Sequence, residues 1–90
     1  MTIEQALEHL KQGKKITRQG WSNMFIWLKP ATIIKSEWCK DPILKEICDN
    51  NGGEIEALDT ICLKTQNNQI ITGWCFSDFE YLYDDWMILE

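Results

Sequence analysis

The sequence predicts an α+β fold: a small single domain with an N-terminal helix, an antiparallel β-sheet and a second short helix. Three observations predict it. Apolar residues repeat at helical spacing near the amino terminus. Asp41-Pro42 and Asn50-Asn51-Gly52-Gly53 bracket a second helical stretch. The remaining apolar residues fall in short runs rich in Ile, Leu, Thr and Trp, separated by Gly, Asn and Pro. At 90 residues the chain makes one domain, spanning 1–90.

The first helix starts at a capping box. Thr2 is placed to cap it, and Gln5 to reach back to the Thr2 N–H. Ile3, Ala6, Leu7 and Leu10 then form one apolar face, off which His9 falls as a solvated residue. Gly13 ends the helix, because glycine accepts a left-handed backbone. This start reads as an amphipathic helix rather than a signal peptide. Lys15 to Arg18 reads as a strand, Gln19-Gly20 as a turn and Trp21 to Asn23 as a loop. Met24 to Lys29 is the next strand, ended by Pro30, and Thr32 to Lys35 a short extended piece. The second helix begins with Asp41 as cap and Pro42 in the first turn, and Ile43, Leu44 and Ile47 give it an apolar side.

The last third reads as β. Ile55 to Lys64 is one long strand, Asn67-Asn68 a turn, and Gln69 to Trp74 the returning arm of a hairpin. Ser77-Asp78-Phe79-Glu80 has the form of another capping box and predicts one helical turn through Tyr83. Trp86 to Leu89 closes the chain as a strand.

Composition narrows the function classes. The net charge is -5, and the excess of acid lies in residues 54–90, where Lys64 is the one basic residue. Such a chain does not suit the nucleic-acid backbone, which rewards clustered basic residues. No apolar run is long enough to cross a membrane. The four cysteines, Cys39, Cys48, Cys62 and Cys75, form no C-x-x-C pair, and His9 is the one histidine. The expectation is reduced thiols and no metal or cofactor. There is no G-x-S-x-G, no phosphate-binding G-x-x-x-x-G-K-[ST] loop and no H-E-x-x-H, so no enzyme is predicted.

Binding has better support. Five tryptophans are many for this length, and they suit either a core or a subunit interface. Trp21 and Trp74 each follow a glycine, which leaves one face of the indole open to a stacked base. The competing reading is two core tryptophans after turns, and spacing alone leaves both open. Asp78, Asp84 and Asp85 suit sugar hydroxyls or an exocyclic amine, and Ser77 and Asn23 add neutral bonds. Lys14, Lys15 and Arg18 suit a pyrophosphate.

The ordered pattern also resembles a known family. Ile3, Ala6, Leu7, Leu10, Gly13-Lys14-Lys15, Arg18 and Gly20-Trp21 look like the opening of the second class of Thoeris anti-defence proteins. Met24 to Pro30 resembles the strand that follows in that family. Ile61-Cys62-Leu63-Lys64-Thr65 resembles its later Lys-Thr strand, and Trp74, Ser77, Glu80 and Asp85-Trp86 its tail. Departures are Glu80 in place of aspartate, Cys75-Phe76 after the tryptophan, and the helix inserted within residues 35–53.

The resemblance implies a phage protein acting in the cytoplasm of the infected bacterial host. It implies sequestration, without degradation, of cyclic ADP-ribose isomers made by host TIR-domain proteins, glycocyclic forms above all. It further implies a homotetramer, with cyclic dinucleotides as possible second ligands. Carried over residue by residue, Trp21 and Trp74 are the purine-stacking pair and Asp85 a hydrogen-bonding acid. Asn23, Met24, Phe25, Ser77 and Asp78 are further pocket members, and Arg18 a phosphate contact. The alternative is an acidic protein inhibitor of a bacterial defence complex, acting through the charge of residues 54–90.

Overall fold

The computed structural model describes all of residues 1–90. Two helices and seven antiparallel-paired strands make the fold α+β, as the sequence predicts. The chain divides into two compact units: Met1–Lys29 with Thr60–Glu90, and Pro30–Asp59.

In the first unit, α1 (Ile3–Lys11) is followed by strands β1 (Lys15–Arg18) and β2 (Phe25–Lys29). The predicted capping box is formed, with the Thr2 and Gln5 side chains each accepting the other's backbone N–H. Gly13 leaves the helix at a φ of 86°. His9 is half-buried rather than solvated, with Nδ1 3.2 Å from Lys14 Nζ.

The second unit holds β3 (Thr32–Lys35), a 3-10 turn at Ser36–Trp38, α2 (Pro42–Asp49) and β4 (Glu54–Ala57). Asp41 caps α2 by accepting the N–H groups of Ile43 and Leu44. Its strands pair in the register Ile34 with Ile55, and its buried residues are Cys48 and Ser36. Ser36 Oγ is bonded to Asp49 and accepts from Lys45 Nζ at 2.9 Å. All four thiols are free, and burial pushes the Cys48 thiol up, which keeps it protonated and unreactive.

The first unit resumes with β5 (Thr60–Lys64), β6 (Ile70–Thr72), a 3-10 turn at Glu80–Leu82 and β7 (Trp86–Leu89). Here the structure corrects the sequence reading. The expected single strand from Ile55 to Lys64 is broken at Leu58-Asp59, and β4 and β5 belong to different sheets. On β2, the partner of β5, the strand ends at Lys29, before Pro30, which has no N–H to donate. The predicted hairpin is present, but its returning arm is only Ile70–Thr72. The turn before β7 keeps half of the predicted capping box: Glu80 Oε1 accepts from the Ser77 N–H.

The five strands of this unit lie in the order β6-β5-β2-β1-β7. Side chains alternate across a strand, so the register sorts them by face. Ile16, Ile26, Leu63 and Trp86 face α1 and close a core with Ile3, Ala6 and Leu10. Lys15, Thr17, Phe25, Lys64, Met87 and Leu89 lie on the other face.

Ile26 is fully buried at the centre of this sheet. Truncation there removes packing and leaves a cavity, so Ile26→Ala is expected to cost about 2–5 kcal/mol. Thr2→Ala, which removes one cap, is expected to cost about 1 kcal/mol. Urea unfolding of both variants against wild type measures the difference.

Candidate functional site

The loop between β1 and β2 is where the sheet becomes a pocket. Asn23 carries it through a left-handed backbone, at a φ of 56°. Three side chains hold the loop in place. Thr17 Oγ1 donates to the Met24 carbonyl at 2.7 Å, and Lys64 Nζ donates to the Asn23 carbonyl at 2.8 Å. Asn23 Nδ2 donates to the Gln66 carbonyl at 3.3 Å, which ties the loop to the β5–β6 turn. Two consecutive carbonyls are thus fixed by side chains from the strands on either side of β2.

The result is a pocket of about 380 Å³. Arg18, Trp21, Asn23, Met24 and Phe25 line it, together with Met87 and Leu89 from β7. An aromatic face, apolar walls and a few polar groups are what small-ligand sites are built from. A second hollow, of about 450 Å³, lies in the other unit beside Lys35, Ser36, Lys45 and Gly53. It is more open and lined by both signs of charge, and none of the expected site residues reaches it.

Five of the nine residues expected at the site therefore share one pocket. The other four do not line it. Trp74 meets Trp21 edge to face, with centroids 6.1 Å apart and planes at 89°. Rings so disposed cannot clamp one base between parallel faces. Trp21 lines the pocket, and Trp74 packs against it from outside the lining. Trp21 also packs edge to face on Trp86, at 5.6 Å and 83°. Phe76 joins Trp74 and Trp86 in the same cluster. Trp86 is buried and its Nε1–H has no hydrogen-bond acceptor; its ring is held by packing, with the Arg18 guanidinium 5.5 Å from its centroid. Ser77 and Asp78 are exposed in the segment leading to the 3-10 turn.

Asp85 is already engaged. Arg18 Nε donates to its Oδ1 at 2.9 Å and Nη2 to its Oδ2 at 3.1 Å, a two-pronged charge-assisted pair. The guanidinium also lies 3.7 Å from the Tyr83 ring centroid. The Arg18 hydrogen bond holds the Asp85 carboxyl below the usual carboxylate range, and Asp85 in turn raises the Arg18 guanidinium. Burial opposes both shifts. The pair escaped the sequence reading because 67 positions separate its members. Met87 and Leu89 were also missed. Their signal was there, since alternation in Trp86–Leu89 puts both on the face opposite Trp86.

Two comparisons with known proteins bear on this site. A model of the Thoeris anti-defense 2-like domain matches residues 1–89. The protein named Thoeris anti-defense 2 from Bacillus phage SP01 is similar along its length. It is 32% identical over 99 aligned residues, covering 100% of this chain and 96% of the relative.

The lowered Asp85 carboxyl makes stability depend on pH. The unfolded carboxyl titrates at about 3.9. Its folded value is lower, so the pair's contribution is complete above the unfolded value and disappears as pH falls through the folded one. Asp85→Asn is expected to be less stable than wild type at neutral pH, with the gap closing below about pH 4. Thermal melts of both proteins from neutral to acidic pH read this directly.

Proposed function

We propose a nucleotide sponge, starting from the fact that this chain belongs to the Thoeris anti-defense 2-like family. Membership carries a phage anti-defence role against Thoeris immunity. The mechanism we propose for that role is stoichiometric capture of a signalling nucleotide of the cyclic ADP-ribose type, glycocyclic forms included. The host TIR-domain protein makes the signal, and the sponge holds it unaltered in the infected cell. The observation that carries the reading is the pocket gathering Arg18, Trp21, Asn23, Met24 and Phe25 on one loop and its flanking strands.

The chemistry suits capture. Trp21 offers a face for a purine, and stacking of this kind contributes about 1–3 kcal/mol per base. Asn23 and Thr17 are polar lining groups that also hold the loop, and Met24, Phe25, Met87 and Leu89 give the pocket apolar walls. Capture needs affinity rather than turnover. No helix is long and apolar enough to cross a membrane.

The proposed working form is a homotetramer. Ile70, Phe79 and Leu82 in one unit and Trp38, Ile43 and Leu58 in the other are large apolar side chains left exposed. Exposed apolar surface of this kind supports assembly into a larger body. Cyclic dinucleotides are proposed as second ligands of that assembly.

Calorimetry with glycocyclic ADP-ribose tests the reading, followed by heat denaturation and chromatography of the released ligand. Tight binding with intact ligand recovered is the expected result. Trp21→Ala is expected to weaken binding by about 10- to 100-fold through lost stacking. A chemically altered product would make the protein an enzyme. No binding would leave the protein–protein inhibitor as the standing explanation.

A further inference from the structure

Of the three basic residues the sequence offers for a pyrophosphate, Lys14, Lys15 and Arg18, Arg18 has its guanidinium fork closed on Asp85. Two other cations flank Phe25, one wall of the pocket, without lining the pocket themselves. Lys15 Nζ lies 5.2 Å and Lys64 Nζ 5.9 Å from the centroid of Phe25, which lines the pocket. Their strands, β1 and β5, flank β2 on its two sides, and Lys64 is the direct cross-strand partner of Phe25. Alternation puts all three side chains on the sheet face turned away from α1.

Neither lysine forms a salt bridge. Lys15 is exposed, and its ammonium makes no hydrogen bond within the chain. Lys64 donates to the carbonyls of Asn23 and Thr65, at 2.8 and 3.3 Å. An ammonium has three donors, so one remains. Two ammonium groups without acidic partners, held against one ring, are a local concentration of positive charge in a chain of net charge -5. The ring holds them by cation–π attraction while leaving their N–H groups free for an anion.

We infer that Lys15 and Lys64 form an anion subsite beside the pocket, on either side of its Phe25 wall, and that it takes the diphosphate of the bound nucleotide. The nucleotide part rests on the sponge reading; the anion part does not. Lys64 has a double task. Its bond to the Asn23 carbonyl shapes the loop that carries Trp21, while its third donor meets the anion. Anion binding and loop geometry are thereby linked through one side chain.

Two probes separate this inference from the sponge reading: inorganic pyrophosphate and glycocyclic ADP-ribose. Each is titrated into wild type, Lys15→Met, Lys15→Arg and Lys64→Met, at low and high salt. Both probes are expected to bind wild type, more weakly as salt rises. Lys15→Met and Lys64→Met are each expected to lose about tenfold in affinity for both probes, with a flatter salt dependence. Lys15→Arg is expected to retain most of the affinity. Lys15 holds no backbone group, so its variants keep the wild-type melting temperature and stay interpretable if Lys64→Met loosens the loop. Absence of pyrophosphate binding to wild type, or unchanged pyrophosphate affinity in Lys15→Met, overturns the inference. Pyrophosphate bound as expected with no nucleotide binding would keep the anion subsite and sink the sponge. Nucleotide bound equally by wild type and both Met variants would do the reverse.

Discussion

Lys15 to Arg18 runs antiparallel to Trp86 to Leu89, with Ile16 opposite Ile88 and Arg18 opposite Trp86. Because successive side chains point to opposite faces, this register decides the fate of both strands. It sends Ile16, Trp86 and Ile88 towards α1, and Thr17, Met87 and Leu89 towards the pocket. A slip by one residue would put Trp86 in the pocket and Met87 in the core. The same pairing brings Asp85 beside Arg18 and lets Trp86 back the Trp21 ring. Core, aromatic cluster and pocket all hang on one long-range strand pair.

The electrostatics follow from that pairing. Once Asp85 arrives at the end of β1, the two-pronged geometry makes it the natural partner of Arg18, and Tyr83 stacks on the guanidinium. Arg18 then serves the fold as much as the site. In the proposed anion subsite, positive charge for a ligand comes instead from Lys15 and Lys64, which have no acidic partners. The charge balance of the whole chain says little about the pocket, because each cation there is set by its own neighbours.

The second unit follows a different rule. It buries Cys48 and Ser36 and no large apolar side chain, and a side-chain network of Ser36, Lys45 and Asp49 helps to hold it. Its hollow carries Lys35 and Lys45 beside Glu37 and Glu54, so neither sign dominates. Trp38, Ile43 and Leu58 stay exposed. This is the stretch where the chain departs most from the family pattern read in its sequence.

Short-range chemistry makes much of this protein legible in its sequence. Thr2 and Gln5, Asp41-Pro42, Gly13 and the Asn67-Asn68 turn act over a few residues, so the elements they begin or end can be read directly. The pocket loop is legible in the same way, since Trp21, Asn23, Met24 and Phe25 are neighbours along the chain. Tertiary pairing decides the rest. Whether Ile55 to Lys64 is one strand or two depends on what lies opposite it, and Pro30 on the facing segment carries no sign of that alignment. Whether Trp74 touches a ligand or braces Trp21 depends on an angle between rings brought together from distant turns. Arg18 and Asp85 read as separate ligand contacts because pairing across 67 positions leaves no local trace. Sequence alone determined which residues form helices, turns and the pocket loop, because those interactions are short-range. Only the sheet register decided which charged and aromatic groups line the pocket and which face each other.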